Sequence, residues 1–190
     1  MIRAERAALV LLAAGHSRRF GDADKLTMPW RGRPLGLHAV AALAAVPFAA
    51  RIAVVADTAL DFADHGYRIV TNDDPAAGMG RSLRLGVAAA MHGDPDAVIV
   101  ALADMPRITA TQIHRLLDHA DGDTALVASS DGVTPCPPAL FGRGHFAALR
   151  AAAGDRGARD LIRRGHHVVA PSAELVDIDT PEDLDRLIHG

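Results

Sequence analysis

The chain is poor in cysteine, in aromatics and in excess charge, and each shortage excludes something. One cysteine, Cys136, stands in 190 residues. It cannot close an intrachain disulfide, which suits a reducing compartment and a cytoplasmic location. Aromatic residues make up only 4%. With alanine and valine plentiful, the expected core is tightly packed α/β rather than an aromatic-rich sandwich. The formal net charge is −3, so bulk charge advertises neither nucleic acid nor an anionic membrane as a partner. An anionic ligand would need a local concentration of positive charge. The longest apolar run, Ala7 to Ala14, is far too short to span a bilayer. It has the outline of a signal peptide, with Arg3 and Arg6 ahead of it. Glu5 interrupts that basic flank, however, and the run feeds into a glycine and basic cluster that a cleaved leader would waste. The ten histidines show no metal-ligand spacing. His166 and His167 are adjacent and would face opposite sides of a strand, so a structural zinc site is not expected.

What the sequence does contain is alternation. No repeat, low-complexity stretch or domain linker interrupts it, and one domain over residues 1–190 is expected. Ala7–Ala13, Arg51–Ala56, Tyr67–Thr71, Ala97–Ala103, Ala125–Ser129, His167–Ala170 and Leu175–Ile178 read as strands. Pro34–Ala45, Arg81–Met91, Thr109–His119, Phe146–Ala152, Ala158–Arg164 and Pro181–Ile188 read as helices, with Pro34 in a first turn and Thr109 as a cap. Apolar strands separated by helices predict a Rossmann-like three-layer α/β/α sandwich with a mostly parallel sheet. Ligands of such sheets bind beyond the carboxyl ends of the strands, near a switch in strand order. The loops after Ala13 and after Ala103 are therefore the places to look.

The first of these loops runs from Ala13 to Lys25. Small residues there let backbone N–H groups approach a phosphate, Arg19 offers a planar multidentate donor and Lys25 a point charge. The alternative is a solvated basic loop with a helix cap at Ser17. The loop matches neither G-x-x-x-x-G-K-[ST] nor G-x-G-x-x-G, which argues against a P-loop ATPase and a nicotinamide-dependent reductase. Gly142-Arg143-Gly144 is more simply a turn into a helix.

Asp104 follows an apolar strand and is oddly placed for solubility. It reads as a ligand for Mg²⁺, which prefers oxygen and is usually held by one or two carboxylates plus phosphates and water; a cap or turn is the alternative. Asp179 is the natural second carboxylate, with an N-cap as its alternative and Asp177 as the substitute if strand register differs by two.

Leu12-Ala13-Ala14-Gly15-x-Ser17-x-Arg19-Phe20-Gly21 followed by Lys25 resembles the signature loop of the MobA-like NTP transferases, and within them the MocA branch of molybdenum cofactor cytidylyltransferases. The resemblance continues in order through Asn72-Asp73-Asp74-Pro75, Gly78 to Gly86, Leu102 to Pro106, Pro138 to Phe141, Gly154 to Arg159 and Asp179 to Leu184, nearly the whole chain. It implies a nucleotide-diphospho-sugar transferase-like fold and a transfer of a nucleoside monophosphate, CMP favoured over GMP, from an NTP to the terminal phosphate of a molybdopterin-type acceptor. Arg19, Lys25 and Asp104 would be catalytic. Leu12, Ala13, Ala14, Gly15, Ser17, Arg19, Lys25, Asn72, Ser82, Leu83 and Gly86 would contact the nucleotide. Asp104 and Asp179 would hold Mg²⁺, with Mn²⁺ as a substitute. Cys136, Phe141, Asp155 and Arg159 would face the acceptor, and a molybdenum enzyme would be the client. Where relatives tend to have a Gly-His-Pro turn this chain reads Cys136-Pro137-Pro138, which removes one polar contact expected for a pterin. Another NTP or phosphorylated acceptor, and a non-catalytic chaperone that keeps the fold, are the competing readings.

Overall fold

All seven residues of β1 (Ala7–Ala13) are buried. A strand with no polar face belongs in the middle of a covered sheet, and that is where the computed structural model puts it. The structure describes residues 1–15, 20–21, 23–151 and 156–189, with side chains in the last segment from 159. The strands are β1, β2 (Pro29–Trp30), β3 (Arg33–Pro34), β4 (Ala50–Val55), β5 (Arg68–Thr71), β6 (Ala97–Leu102), β7 (Leu126–Ser130), β8 (Pro135–Gly142) and β9 (His166–Val169). The helices are α1 (Gly36–Leu43), α2 (Met79–Ala90), α3 (Ala110–Asp118), α4 (Phe146–Ala151), α5 (Arg156–Arg164) and α6 (Pro181–His189).

The main sheet has the order β5-β4-β1-β6-β8-β7-β9, and β2 with β3 forms a separate hairpin. β1 pairs in parallel with both β4 and β6, while β8 is antiparallel to its two neighbours. The chain winds outward from β1 through β4 to β5, then crosses back to β6 on the other side of β1. That reversal opens a crevice at the carboxyl ends of β1 and β6.

Alternate residues of β1 feed two apolar layers. Leu9, Leu11 and Ala13 join Val40 and Leu43 of α1 and Ile113 and Leu116 of α3 on one face. Ala8, Val10 and Leu12 join Leu83 and Val87 of α2, Phe146 and Leu149 of α4, and Ile162 of α5 on the other. The expected three-layer sandwich with a mostly parallel sheet is thus observed. Thr109 caps α3 as anticipated, its hydroxyl accepting from Gln112 N at 3.2 Å.

Two local expectations are corrected, and one strand is added. Pro34 pairs in the β2–β3 hairpin, so α1 starts at Gly36. Leu175–Ile178 is not a strand: it follows a short helical turn at Ser172–Glu174 and joins no sheet. β8 was not foreseen, because Pro137 and Pro138 cannot donate to a ladder. The register with β7 shifts at Ala128/Ser129, and the Ser129 hydroxyl donates to the Pro138 carbonyl at 2.8 Å. Among the described residues no helix is long and apolar enough to cross a membrane.

Candidate active site

Lys25 opens a single helical turn, Lys25–Thr27, that the sequence reading overlooked. Its cap is Asp24, whose carboxylate accepts from Leu26 N at 2.9 Å and from the Thr58 hydroxyl at 2.5 Å. This anchoring directs the Lys25 side chain inward, where the residue is only 5% exposed. There its ammonium donates to Asp104 Oδ2 at 2.6 Å, to the Ile178 carbonyl at 2.8 Å and to Asp179 Oδ1 at 3.3 Å. Asp104 arrives at the carboxyl end of β6. Ile178 N donates in turn to the Asp104 carbonyl at 3.0 Å, which fastens the segment before α6 to the end of β6.

The electrostatics follow from this burial. Burial disfavours the Lys25 ammonium, but Asp104 and then Asp179 outweigh it and hold the lysine pKa above its ordinary value. Burial lifts the Asp104 carboxyl; Lys25 opposes the rise, and the neighbouring charges of Asp177 and Asp179 add to it. Asp104 Oδ1 is buried and has no hydrogen-bond partner. An unmet acceptor beside two further acids calls for positive charge.

The N-cap alternative for Asp179 is not what the structure contains. Thr180 and Asp183 close a reciprocal box at the start of α6: Asp183 N donates to the Thr180 hydroxyl at 3.1 Å, and Thr180 N to Asp183 Oδ2 at 2.8 Å. The Asp179 side chain is thereby left on Lys25.

Two depressions flank the carboxyl end of β1. One, of about 710 Å³, is lined by Leu12, Leu83, Cys136, Phe141 and Arg159, with Asp104, Asp177 and Asp179. The other, of about 450 Å³, is lined by Ala13, Gly15 and Asn72, with Asp24, Asp57 and Asp73. The anticipated acceptor residues Cys136, Phe141 and Arg159 thus share a cleft with the acids. Cys136 is pushed up to about 11, first by burial and then by Asp131 and Asp177, so it is a neutral thiol near pH 7.

Asn72, Ser82 and Gly86, anticipated as nucleotide contacts, also hold the fold together. Asn72 Nδ2 donates to the Ser82 hydroxyl at 2.9 Å, and Asn72 Oδ1 accepts from Arg81 Nε at 2.9 Å and from Asp74 N at 3.1 Å. These bonds tie the loop after β5 to the start of α2. Gly86 faces the sheet, where an added Cβ would lie 2.4 Å from Val10 Cγ1. Ala14 is buried. Ser17, Arg19 and Asp155 lie outside the described residues. Asp24, Ile178 and Thr180 were missed; a capping acid directly before Lys25 was the available signal for the first.

The donor set fits a divalent cation. Asp104 and Asp179 supply hard carboxylate oxygens, and one oxygen of Asp104 is unpartnered. No group of three or more His, Cys, Asp or Glu side chains could hold a metal among the described residues. A hard cation such as Mg²⁺ is usually held by one or two carboxylates, with phosphate and water completing its shell.

A family profile described as the MobA-like NTP transferase domain matches residues 9–169. The nicotine blue oxidoreductase of Paenarthrobacter nicotinovorans is 34% identical, across 94% of this chain and 95% of its own. A molybdenum cofactor guanylyltransferase of Xanthomonas euvesicatoria pv. vesicatoria (strain 85-10) is 31% identical, across 95% and 93%. Among solved structures, the rv0371c homolog of Mycobacterium sp. strain JC1 superposes with a TM-score of 0.78 at 27% identity, covering 99% of this chain and 97% of that one. Nucleotidyltransferases of this family use divalent metal ions. A covered parallel sheet with acids and a buried lysine at its switch point thus accompanies a match over most of the chain, which belongs to the MobA-like NTP transferases.

Proposed function

We propose that this nucleotidyltransferase moves CMP from CTP to the terminal phosphate of a molybdopterin-type acceptor, acting as one cytoplasmic domain with a molybdenum enzyme as its client. One observation carries the reading: the Lys25 ammonium is shared by Asp104 and Asp179 at the edge of a cleft that also holds the acceptor-side residues. The nucleotide takes the smaller depression at Ala13, Gly15 and Asn72 and reaches Leu12 and Leu83 in the larger one, which takes the acceptor.

The acceptor phosphate is already ionised at neutral pH, so no side-chain base is needed. One of its oxygens forms a bond to the α-phosphorus in line. The bond from that phosphorus to the bridging oxygen breaks, and pyrophosphate leaves with the electron pair. Lys25, kept charged by its two acids, neutralises negative charge that builds on the α-phosphate oxygens. Arg19 and Ser17 serve the triphosphate, and Asp155 and Arg159 the charged end of the acceptor. Asp104 and Asp179 hold the Mg²⁺, for which Mn²⁺ can substitute; when bound, the ion supplies Lewis-acid neutralisation of phosphate charge. CTP is favoured over GTP by the Ala13-Ala14-Gly15 turn, whose middle methyl acts by shape alone.

The test is pyrophosphate release with each of the four NTPs and Mg²⁺, with and without molybdopterin. Release with CTP that depends on molybdopterin supports the reading. Release that favours GTP moves the base assignment, and release that ignores molybdopterin moves the acceptor. The relative named as an oxidoreductase makes a second measurement worthwhile: electron transfer from a supplied reductant to a supplied acceptor dye, without pyrophosphate release, would replace transfer with redox chemistry.

A further inference from the structure

The one tryptophan of the chain, Trp30, lies behind the Lys25 cluster and is 7% exposed. It belongs to a third apolar cluster, separate from the two sheet faces, together with Leu35, Ile178 and Leu187; Phe20 and Leu184 pack against it. Ile178 is the residue whose carbonyl receives the Lys25 ammonium and whose N–H holds Asp104. The Arg107 guanidinium, three residues beyond Asp104 on the same loop, lies over the Trp30 ring at 5.7 Å. The indole therefore has one acid-bearing segment in its own cluster and the other stacked on its ring.

Trp30 is itself held firmly. It precedes a tight β2–β3 turn in which Arg31 and Gly32 both have positive φ, 45° and 76°, the backbone that two-residue hairpins favour. His38 Nε2 donates to the Trp30 carbonyl at 2.8 Å, and its ring is centred 4.4 Å from the indole. The Arg31 guanidinium lies over the same ring at 5.0 Å.

We propose that Trp30 is a positioning residue for the reaction centre: it fixes the Asp104-bearing and Asp179-bearing segments relative to each other, so that both acids reach Lys25. This rests on reading that cluster as the place where transfer occurs. Trp30 lines neither depression flanking β1 among the described residues, so it acts through the acids and not on the nucleotide. Loss of the indole opens a void that a cluster this small cannot refill. A shift of about 1 Å in a positioned group can cost about a hundredfold in rate.

Two arms test the proposal. In pyrophosphate release, Trp30→Ala lowers kcat by about a hundredfold with KM for the NTP nearly unchanged, and Trp30→Phe, which refills the cluster, recovers most of kcat. A folded Trp30→Ala protein with kcat near wild type overturns the proposal, as does a loss shared equally by kcat and KM in both variants. The second arm needs no substrate. Lys25→Met leaves the Ile178 carbonyl without its ammonium donor, so the emission of Trp30 moves to the red. Emission unchanged in Lys25→Met also overturns the proposal. If Trp30→Ala does not fold, Trp30→Phe and the emission arm decide. If the wild type releases no pyrophosphate with any NTP, the proposed transfer fails, and emission alone settles the positioning role.

Discussion

Lys25 and Asp104 are 79 residues apart in the chain, and their side chains meet at 2.6 Å behind the carboxyl ends of β1 and β6. The pairing joins the loop after the first strand to the loop after β6, the two places where an open α/β sheet puts its ligands. Buried pairs of this kind are poor sources of stability, because desolvation offsets their attraction. Together with the unpartnered Asp104 Oδ1, that makes chemistry the better explanation for keeping it.

Lys25→Ala removes the only cation shared by Asp104 and Asp179 among the described contacts. Both a weaker hold on the triphosphate and a poorer transition state are expected. Steady-state pyrophosphate release should show a raised KM for the NTP and kcat lower by about a hundredfold. An unchanged kcat would assign Lys25 to folding alone.

Gly86→Ala separates packing from nucleotide contact. The added methyl would collide with Val10 Cγ1 and, at 2.9 Å, with Val54 Cγ2. Overpacking of this kind costs about 2 kcal/mol, or roughly 6 °C in Tm for a chain of this size. Thermal unfolding should show that loss while KM for the NTP stays put. A raised KM with Tm unchanged would return Gly86 to the nucleotide.

Tyr67 gives a prediction in alkali. Its hydroxyl is buried without a partner, and burial pushes its pKa up from 10.0 to about 12, against a small opposing pull from Arg51. The folded state therefore holds the proton more tightly than the unfolded state. That contribution is complete below pH 10 and is lost as pH rises through 12. Denaturant unfolding of the wild type should weaken across this window, and Tyr67→Phe should weaken less. At neutral pH the phenylalanine variant should be no less stable, since it removes an unsatisfied buried hydroxyl worth about 1 kcal/mol.

Much of this architecture was readable in the sequence, for identifiable reasons. β1 and β6 announce themselves because strands buried on both faces carry apolar runs, and Asp104 stands out because it interrupts one. Other features depend on tertiary partners. Residues 175–178 have a strand's composition, yet the polar backbone of Ile178 is taken by Lys25 and Asp104. β8 hides behind Pro137 and Pro138, which lack ladder donors and fall at the register shift opposite β7, where the Pro138 carbonyl accepts from the Ser129 hydroxyl. Asn72 and Ser82 carry the polarity of a ligand site, and their bond to each other depends on a tertiary approach that the sequence does not display. Asp24 reads as one acid among many until Thr58 and Leu26 close on it.

The measurement closest to the central claim is pyrophosphate release by Asp104→Asn beside the wild type, with CTP, molybdopterin and Mg²⁺. The substitution keeps the side chain's shape and removes its charge. Turnover should fall by about a thousandfold, with CTP still bound when metal is absent. Turnover within a few-fold of wild type would contradict the account and remove Asp104 from the chemistry.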